Sequence, residues 1–213
     1  MMKNTLLIVA LLIAMTGFSQ SKFAISLNGA FDQNNHHLTD LRKLNTNEMA
    51  DFSGGVNLIY YLGEKFRLRA EMEYSNVSFS RDYQTDPTVA KNVAYTNIAM
   101  NNLSLNPHLD YKLFSLSKLD VYASGGVRFE FGFYEWQNSF NQGGDLLSGK
   151  YINEVQTGGN SGAIGGLSFK YNLTEHLGLN FSPEYTYFFK PFYTANEFNF
   201  QRISMKAGLE WRF

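Results

Sequence analysis

Several residue groups in this 213-residue chain could do chemistry. His36 and His37 stand beside Thr39 and Asp40. A histidine held by an acid and within reach of a hydroxyl can drive acyl transfer, but only in a fixed geometry. Neighbours in extended chain point to opposite sides, so the two histidines are poorly spaced as metal ligands. No serine with an orienting acid matches them, and a solvated loop is the better reading. Glu71 and Glu73 share one side of an extended segment, as an acid–base pair could. Arg67 and Arg69 lie on that same side, which favours ion pairing over catalysis. His108, between Asn106 and Asp110, reads as a hydrogen-bonded histidine rather than a ligand. Lys170 and Arg128 would set anion selectivity if they lined an open channel. Tyr134, Trp136, Phe140, Tyr151 and Ile152 lie among glycines and amides; such rings suit a recognition surface or a lid, and the sequence favours neither. These weighings predict no enzyme, no catalytic residues, no cofactor and no bound metal.

The composition narrows the field. The formal net charge is −1, which gives no electrostatic case for nucleic acid. Aromatics make up 16% of the chain, with Phe and Tyr far ahead of Trp. With no cysteine there is no disulfide framework, thiolate metal site or lipid-modified cysteine. Residues 1–19 follow the plan of a secretory signal peptide: Lys3, then the apolar run Leu6 to Met15, then Gly17 and Ser19 before Gln20. Cleavage after Ser19 would leave 20–213 as one domain. Beyond Met15 no apolar run approaches the ~18 residues of a membrane helix.

The residues that could do chemistry sit on segments of strict period two, the strand signal. The first segment runs from Phe23 to Asp32. The second carries Phe52, Val56, Leu58, Tyr60 and Leu62. The third sets Phe66, Leu68, Ala70, Met72 and Tyr74 against Arg67, Arg69, Glu71 and Glu73. The fourth spans 102–113, the fifth 119–133, the sixth 163–171, the seventh 177–189 and the eighth 202–213, in every case with apolar residues at alternate positions. Such stretches are long for soluble strands but suit a tilted membrane crossing of ~9–11 residues. Connections alternate between short turns (Gly63–Lys65, Phe114–Lys118, Asn172–His176) and long polar stretches (33–51, 76–101, 134–162, 190–199). That alternation predicts an all-β, eight-stranded antiparallel up-and-down transmembrane β-barrel, with short periplasmic turns and long extracellular loops.

A soluble barrel would turn its apolar face inward. Here that face holds too many rings for a lumen only just wide enough for side chains. The rings also sort by depth, into one group at the short turns and one at the long loops, with aliphatic residues between them, matching the two interfaces of a bilayer. The polar face then becomes the lumen. Its expected charge network comprises Arg67, Arg69, Glu71, Glu73, Asp110, Lys112, Arg128, Glu130, Lys170, Glu184, Arg202, Lys206, Glu210 and Arg212. With Asp32 and Asp120 added, this face balances at eight positive against eight negative charges, as a closed interior requires.

The constellation resembles the small eight-stranded outer-membrane barrels of the OmpA/OmpX type and, beyond them, the outer-membrane β-barrel-domain proteins of Bacteroidetes, including the PorT-like group. The most specific element is the last segment, with Leu209, Trp211 and Phe213 at alternate positions; in that family such an end is the signal read by the barrel-assembly machinery. The resemblance implies an exported integral protein of the cell outer membrane with a porin-like fold and a closed lumen. Its partners would be outer-membrane lipids, the assembly machinery and an unidentified extracellular ligand on its loops. A structural or surface-interaction role is expected, without the wall tether of full-length OmpA-type proteins. The other readings are a lipid-modifying enzyme, an accessory part of a secretion or motility apparatus, and a soluble periplasmic carrier.

Overall fold

The computed structural model describes residues 22–38, 46–48, 50–82, 93–152, 159–189 and 198–213. Residues 1–19, the expected signal segment, lie outside them, as do Thr39 and Asp40 of the first candidate group. The strands are β1 (Phe23–Leu38), β2 (Thr46–Glu48), β3 (Ala50–Tyr61), β4 (Phe66–Asp82), β5 (Tyr95–Leu116), β6 (Leu119–Phe140), β7 (Leu146–Ile152), β8 (Asn160–Asn172), β9 (Leu177–Phe188) and β10 (Phe198–Arg212). All pairings are antiparallel. Following them gives a ring, β4-β3-β1-β10-β9-β8-β6-β5, which β4–β5 pairing closes into an eight-stranded barrel. First and last strands meet along their whole length, from Ala24 opposite Arg212 to Leu38 opposite Phe198. A lone strand cannot enter hydrocarbon with its amides unpaired; closure removes every edge at that depth.

The apolar face is outside. Leu27 is 62% exposed, Leu58 57% and Leu105 49%. Rings gather at both ends of this outer surface. Near the short turns Phe23 packs on Tyr60 with centroids 4.7 Å apart, and Phe66 on Tyr111 at 5.0 Å. Near the long connections Phe31 meets Phe52 edge-on at 5.8 Å, and Tyr74 meets Phe133 at 6.1 Å. Inward positions carry the charges, most of them nearly inaccessible. The inverse arrangement of a soluble carrier is not the one observed. Val121 departs from the pattern: it belongs to the outer face yet is 4% exposed. Its register partners are the larger Phe114 and Phe169, beside a bulge between Lys112 and Phe114.

Three short turns join the strands at one end. The second is tighter than the sequence suggests: β5 and β6 pair as far as Leu116 opposite Leu119, leaving Ser117 and Lys118 as the turn, with Ser117 at φ +53°. At the opposite end the strands outrun their expected limits. β4 continues to Asp82, β5 starts at Tyr95 and β6 reaches Phe140, so parts of the supposed loops 76–101 and 134–162 are sheet. A turn at Asn141–Asp145 then returns the chain as β7, paired along β6. His36 and His37 are likewise strand residues, opposite Phe200 and Asn199. The alternation fails there for a physical reason. Past the lipid, outward positions have no need to be apolar: Asn76 and Asn101 face out and join across strands at 2.8 Å.

The barrel is narrow, and some inward positions tolerate only glycine. A Cβ on Gly166 would lie 2.3 Å from the Pro183 carbonyl oxygen; one on Gly208 would lie 2.3 Å from that of Leu27. Both glycines let neighbouring backbones approach at sharply coiled points of the wall.

Candidate functional site: the charged lumen

Successive inward positions climb the lumen from the short-turn end. On β4 they are Arg67, Arg69, Glu71, Glu73 and Ser75, and each of the four charged ones meets a side chain of opposite charge. None of the charged side chains in this belt is more than 5% exposed.

In the lowest layer the Arg67 Nε donates to Asp110 Oδ2 at 2.8 Å, and its guanidinium lies 3.9 Å from the Tyr122 ring centre. Glu210 accepts from Tyr61 Oη at 2.6 Å, from Lys170 Nζ, and from Asn180 Nδ2 at 3.1 Å. Above it, the Arg69 Nη2 donates to Glu184 Oε1 at 2.7 Å. The Lys206 ammonium sits among three carboxylates, 2.6 Å from Glu71, 2.7 Å from Glu73 and 3.1 Å from Glu184. In the upper layer Arg128 bridges Glu73 at 2.7 Å and Glu130 at 2.6 Å. Arg202 adds a second guanidinium to Glu130 at 3.1 and 3.2 Å, and its Nε donates to Asn34 Oδ1 at 2.8 Å. Desolvated charges persist only when paired and hydrogen-bonded, and removing one partner of such a pair costs about 3–5 kcal/mol.

Two of the fourteen expected network residues stand apart. Lys112 pairs with Asp120 at 3.2 Å, with side chains 26% and 15% exposed, at the short-turn mouth. The Arg212 guanidinium lies 4.6 Å from the Tyr61 ring centre, at the same mouth. There the barrel opens into a vestibule of about 910 Å³, lined by turn residues such as Glu64, Lys65 and Lys118 and reaching Tyr61 and Tyr122. The expected balance of eight against eight is therefore corrected. Lys112, Arg212 and Asp120 leave the buried set, and Asp51, placed by sequence in a loop, joins it at 5% exposure. Among the described residues the buried charges become Arg67, Arg69, Arg128, Arg202, Lys170 and Lys206 against Asp32, Asp51, Glu71, Glu73, Asp110, Glu130, Glu184 and Glu210.

Glu71, His108 and Glu184 bring potential ligand atoms within 4.8 Å of one another. The hydrogen bonds argue against a metal there. A guanidinium only donates, so the Arg69 Nη2 at 3.1 Å makes His108 Nδ1 an acceptor and puts the ring proton on Nε2. That nitrogen, 3.6 Å from Glu71 Oε2, then has no lone pair to offer. Lys206 already supplies a cation to both glutamates. Glu71 and Glu73, tied to Lys206 and Arg128, are structural partners in this geometry.

Sequence reasoning missed a second lumen feature. Val77, Ile98, Met100 and Phe188 cluster above the charged belt, each 5% exposed or less. The first three lie in the strand extensions where alternation had faded. Phe188 sits between Tyr187 and Phe189 in an aromatic run whose parity only the neighbouring Thr186 and Glu184 reveal. Tyr61 was hidden in the same way, in the run Leu58-Ile59-Tyr60-Tyr61. Near the opposite end, Leu209 and Trp211 lie outside on β10, 53% and 52% exposed. The Trp211 ring stacks on His176 with centroids 6.2 Å apart, and the Phe213 amide donates to the Phe23 carbonyl at 3.1 Å.

No family model matches the chain, and no curated protein matches it in sequence. Solved structures do resemble it. The outer-membrane protein OprG from Pseudomonas aeruginosa superimposes with a TM-score of 0.57 at 16% identity, over 91% of this chain and 97% of that one. Neisserial surface protein A gives 0.51 at 15% identity, over 90% and 97%. A major outer-membrane protein from Thermus thermophilus gives 0.51 at 11% identity, over 90% and 99%. The shared feature is the fold of small outer-membrane β-barrels.

Proposed function

We propose that this chain is an integral outer-membrane protein with a closed, ion-paired lumen, whose role is structural and surface-interacting rather than enzymatic. The observation that carries the reading is the inverted facing: leucines and rings on the outside, arginines and glutamates sealed within. Only a hydrocarbon solvent makes that arrangement stable, since it exposes apolar side chains and buries charge. The wall formed by β4, β5, β6 and β7 supports the surface role. β5 and β6 are each 22 residues long, against the ~9–11 needed to cross a bilayer, so much of each rises clear of the lipid.

On this reading the long-loop end faces outward and presents that raised sheet to an extracellular partner. Residues 1–19 direct export, outer-membrane lipids cover the sides, and the Leu209, Trp211, Phe213 end is read by the barrel-assembly machinery. The finer likeness to Bacteroidetes and PorT-like proteins belongs to this proposal also.

Cell fractionation with electrophoresis of unheated samples tests the fold and location together. Recovery in the outer membrane, with mobility that changes on boiling, is the expected result. A detergent-free periplasmic protein would end the proposal. For the surface role, an epitope inserted between Gly143 and Gly144 should be labelled on intact cells; labelling only after lysis would reverse the orientation.

A further inference from the structure

Among the described residues the buried charges do not balance: the lumen buries six cations and eight carboxylates, and the surplus lies at one place. Asp32 on β1 and Asp51 on β3 are directly opposite in register, both inward, 0% and 5% exposed. Opposed residues of an antiparallel pair hold their Cβ atoms ~4.5–5.5 Å apart, and like charges so placed repel. Neither aspartate has an ion pair among the described residues. Arg202 is the cation whose charge reaches Asp51, and it is already engaged by Glu130 and Asn34. Arg128 is taken by Glu73 and Glu130, and Lys206 by three glutamates lower down.

The polar atoms around this pair are oxygen-rich and incompletely used. Asp32 Oδ1 accepts from Ser204 Oγ at 2.5 Å, while Oδ2, fully buried, has no hydrogen-bond partner. Asp51 accepts from Asn34 Nδ2 at 2.7 Å and from the Ser78 amide, leaving lone pairs over. Ser53, the next inward residue on β3, and Ser75, its register partner on β4, both have buried hydroxyls without a partner. A buried polar atom left unpaired costs about 1–3 kcal/mol, and more when charged.

We propose that Asp32 and Asp51 form a binding site for one hard divalent cation of the calcium or magnesium class, at the long-loop end of the charged belt. A double positive charge would cancel the surplus of the two aspartates. The donors on offer are carboxylate and hydroxyl oxygens, which suit hard cations and not soft ones. The hydroxyls of Ser53, two residues on from Asp51 in β3, and of Ser75 on the neighbouring β4 are the further oxygens on offer. The site is separate from the Glu71–His108–Glu184 cluster, where a lysine already fills the cation's place.

The test uses the folded, detergent-solubilised protein after chelator treatment, titrated with calcium chloride or magnesium chloride at constant ionic strength. Calorimetry should give one ion per chain, and the unfolding temperature should climb with the logarithm of ion concentration. Asp32→Asn and Asp51→Asn keep shape and remove charge. Each should lose ion binding and, in chelator, unfold at a higher temperature than the parent, because the repulsion is gone. The proposal is overturned if the parent binds neither ion, or if the double variant binds as the parent does. It is also overturned if acidification alone stabilises the parent while both ions leave it unchanged, since a shared proton would then neutralise the pair. Should either variant fail to fold, Ser53→Ala decides: it removes one oxygen and no charge, so calcium affinity should fall several-fold, and unchanged affinity counts against the site.

Discussion

The lumen belt and the short-turn mouth contain the same kinds of residue in the same alternation, yet they are different objects. In the belt, Arg128 and Arg202 both contact Glu130, at 2.6–3.2 Å, with at most 1% of any of the three residues exposed. At the mouth, Lys112 and Asp120 approach to 3.2 Å, but water reaches both. Charge pairs that share a low-dielectric interior depend on one another, because none can fall back on hydration. A pair beside water can separate at little cost. Depth, not residue type, sets what each ion pair contributes.

The sharpest test of that contrast is Glu130→Ala. It takes a shared carboxylate from two buried guanidiniums at once, leaving Arg128 with Glu73, and unfolding in detergent should show a loss of about 3–5 kcal/mol or no folded barrel at all. A loss under about 1 kcal/mol would erase the distinction between belt and mouth. Next is the opposite face at similar depth. Leu105→Arg places a guanidinium in lipid, with an expected penalty of about 2–4 kcal/mol read from folding into vesicles. An unaffected yield would mean the facing is wrong. Gly166→Ala asks whether backbone closeness holds the belt in shape. Its Cβ would meet the Pro183 carbonyl oxygen at 2.3 Å, so a strand must shift, at about 1–3 kcal/mol. The smallest effect belongs to the mouth. Lys112→Ala should cost about 0–1 kcal/mol, and that loss should vanish at roughly 1 M salt, where the screening length is about 3 Å. The Glu130→Ala loss should persist in the same salt.

Much of the barrel is legible in the sequence because its signal is local. Arg67, Leu68, Arg69 and Ala70 state by their alternation which face meets lipid, and no tertiary knowledge is needed to read it. The short turns are legible for the same reason, since polar residues and glycine interrupt the period. Legibility ends where the solvent changes. In 76–78 and 95–101 several outward positions are polar, among them Asn76, Ser78, Asn97 and Asn101, and the strands pass for loops. Val77, Ile98 and Met100 of the apolar cluster lay in those stretches and were missed with them, while Phe188 was hidden in its aromatic run. Asp51 was lost at the same boundary, and with it the surplus of buried negative charge.

By itself the sequence determined that these segments are strands, that rings and leucines share one face, and that arginines and glutamates share the other. Only the tertiary structure decided who pairs with whom: Arg69 with Glu184, Arg202 with Glu130, and Asp32 set against Asp51 rather than against a cation. A period of two is a property of neighbouring residues. Partners across a lumen follow from how many strands close the ring and how far each slides along the next, and that stagger is settled only when β1 finds β10.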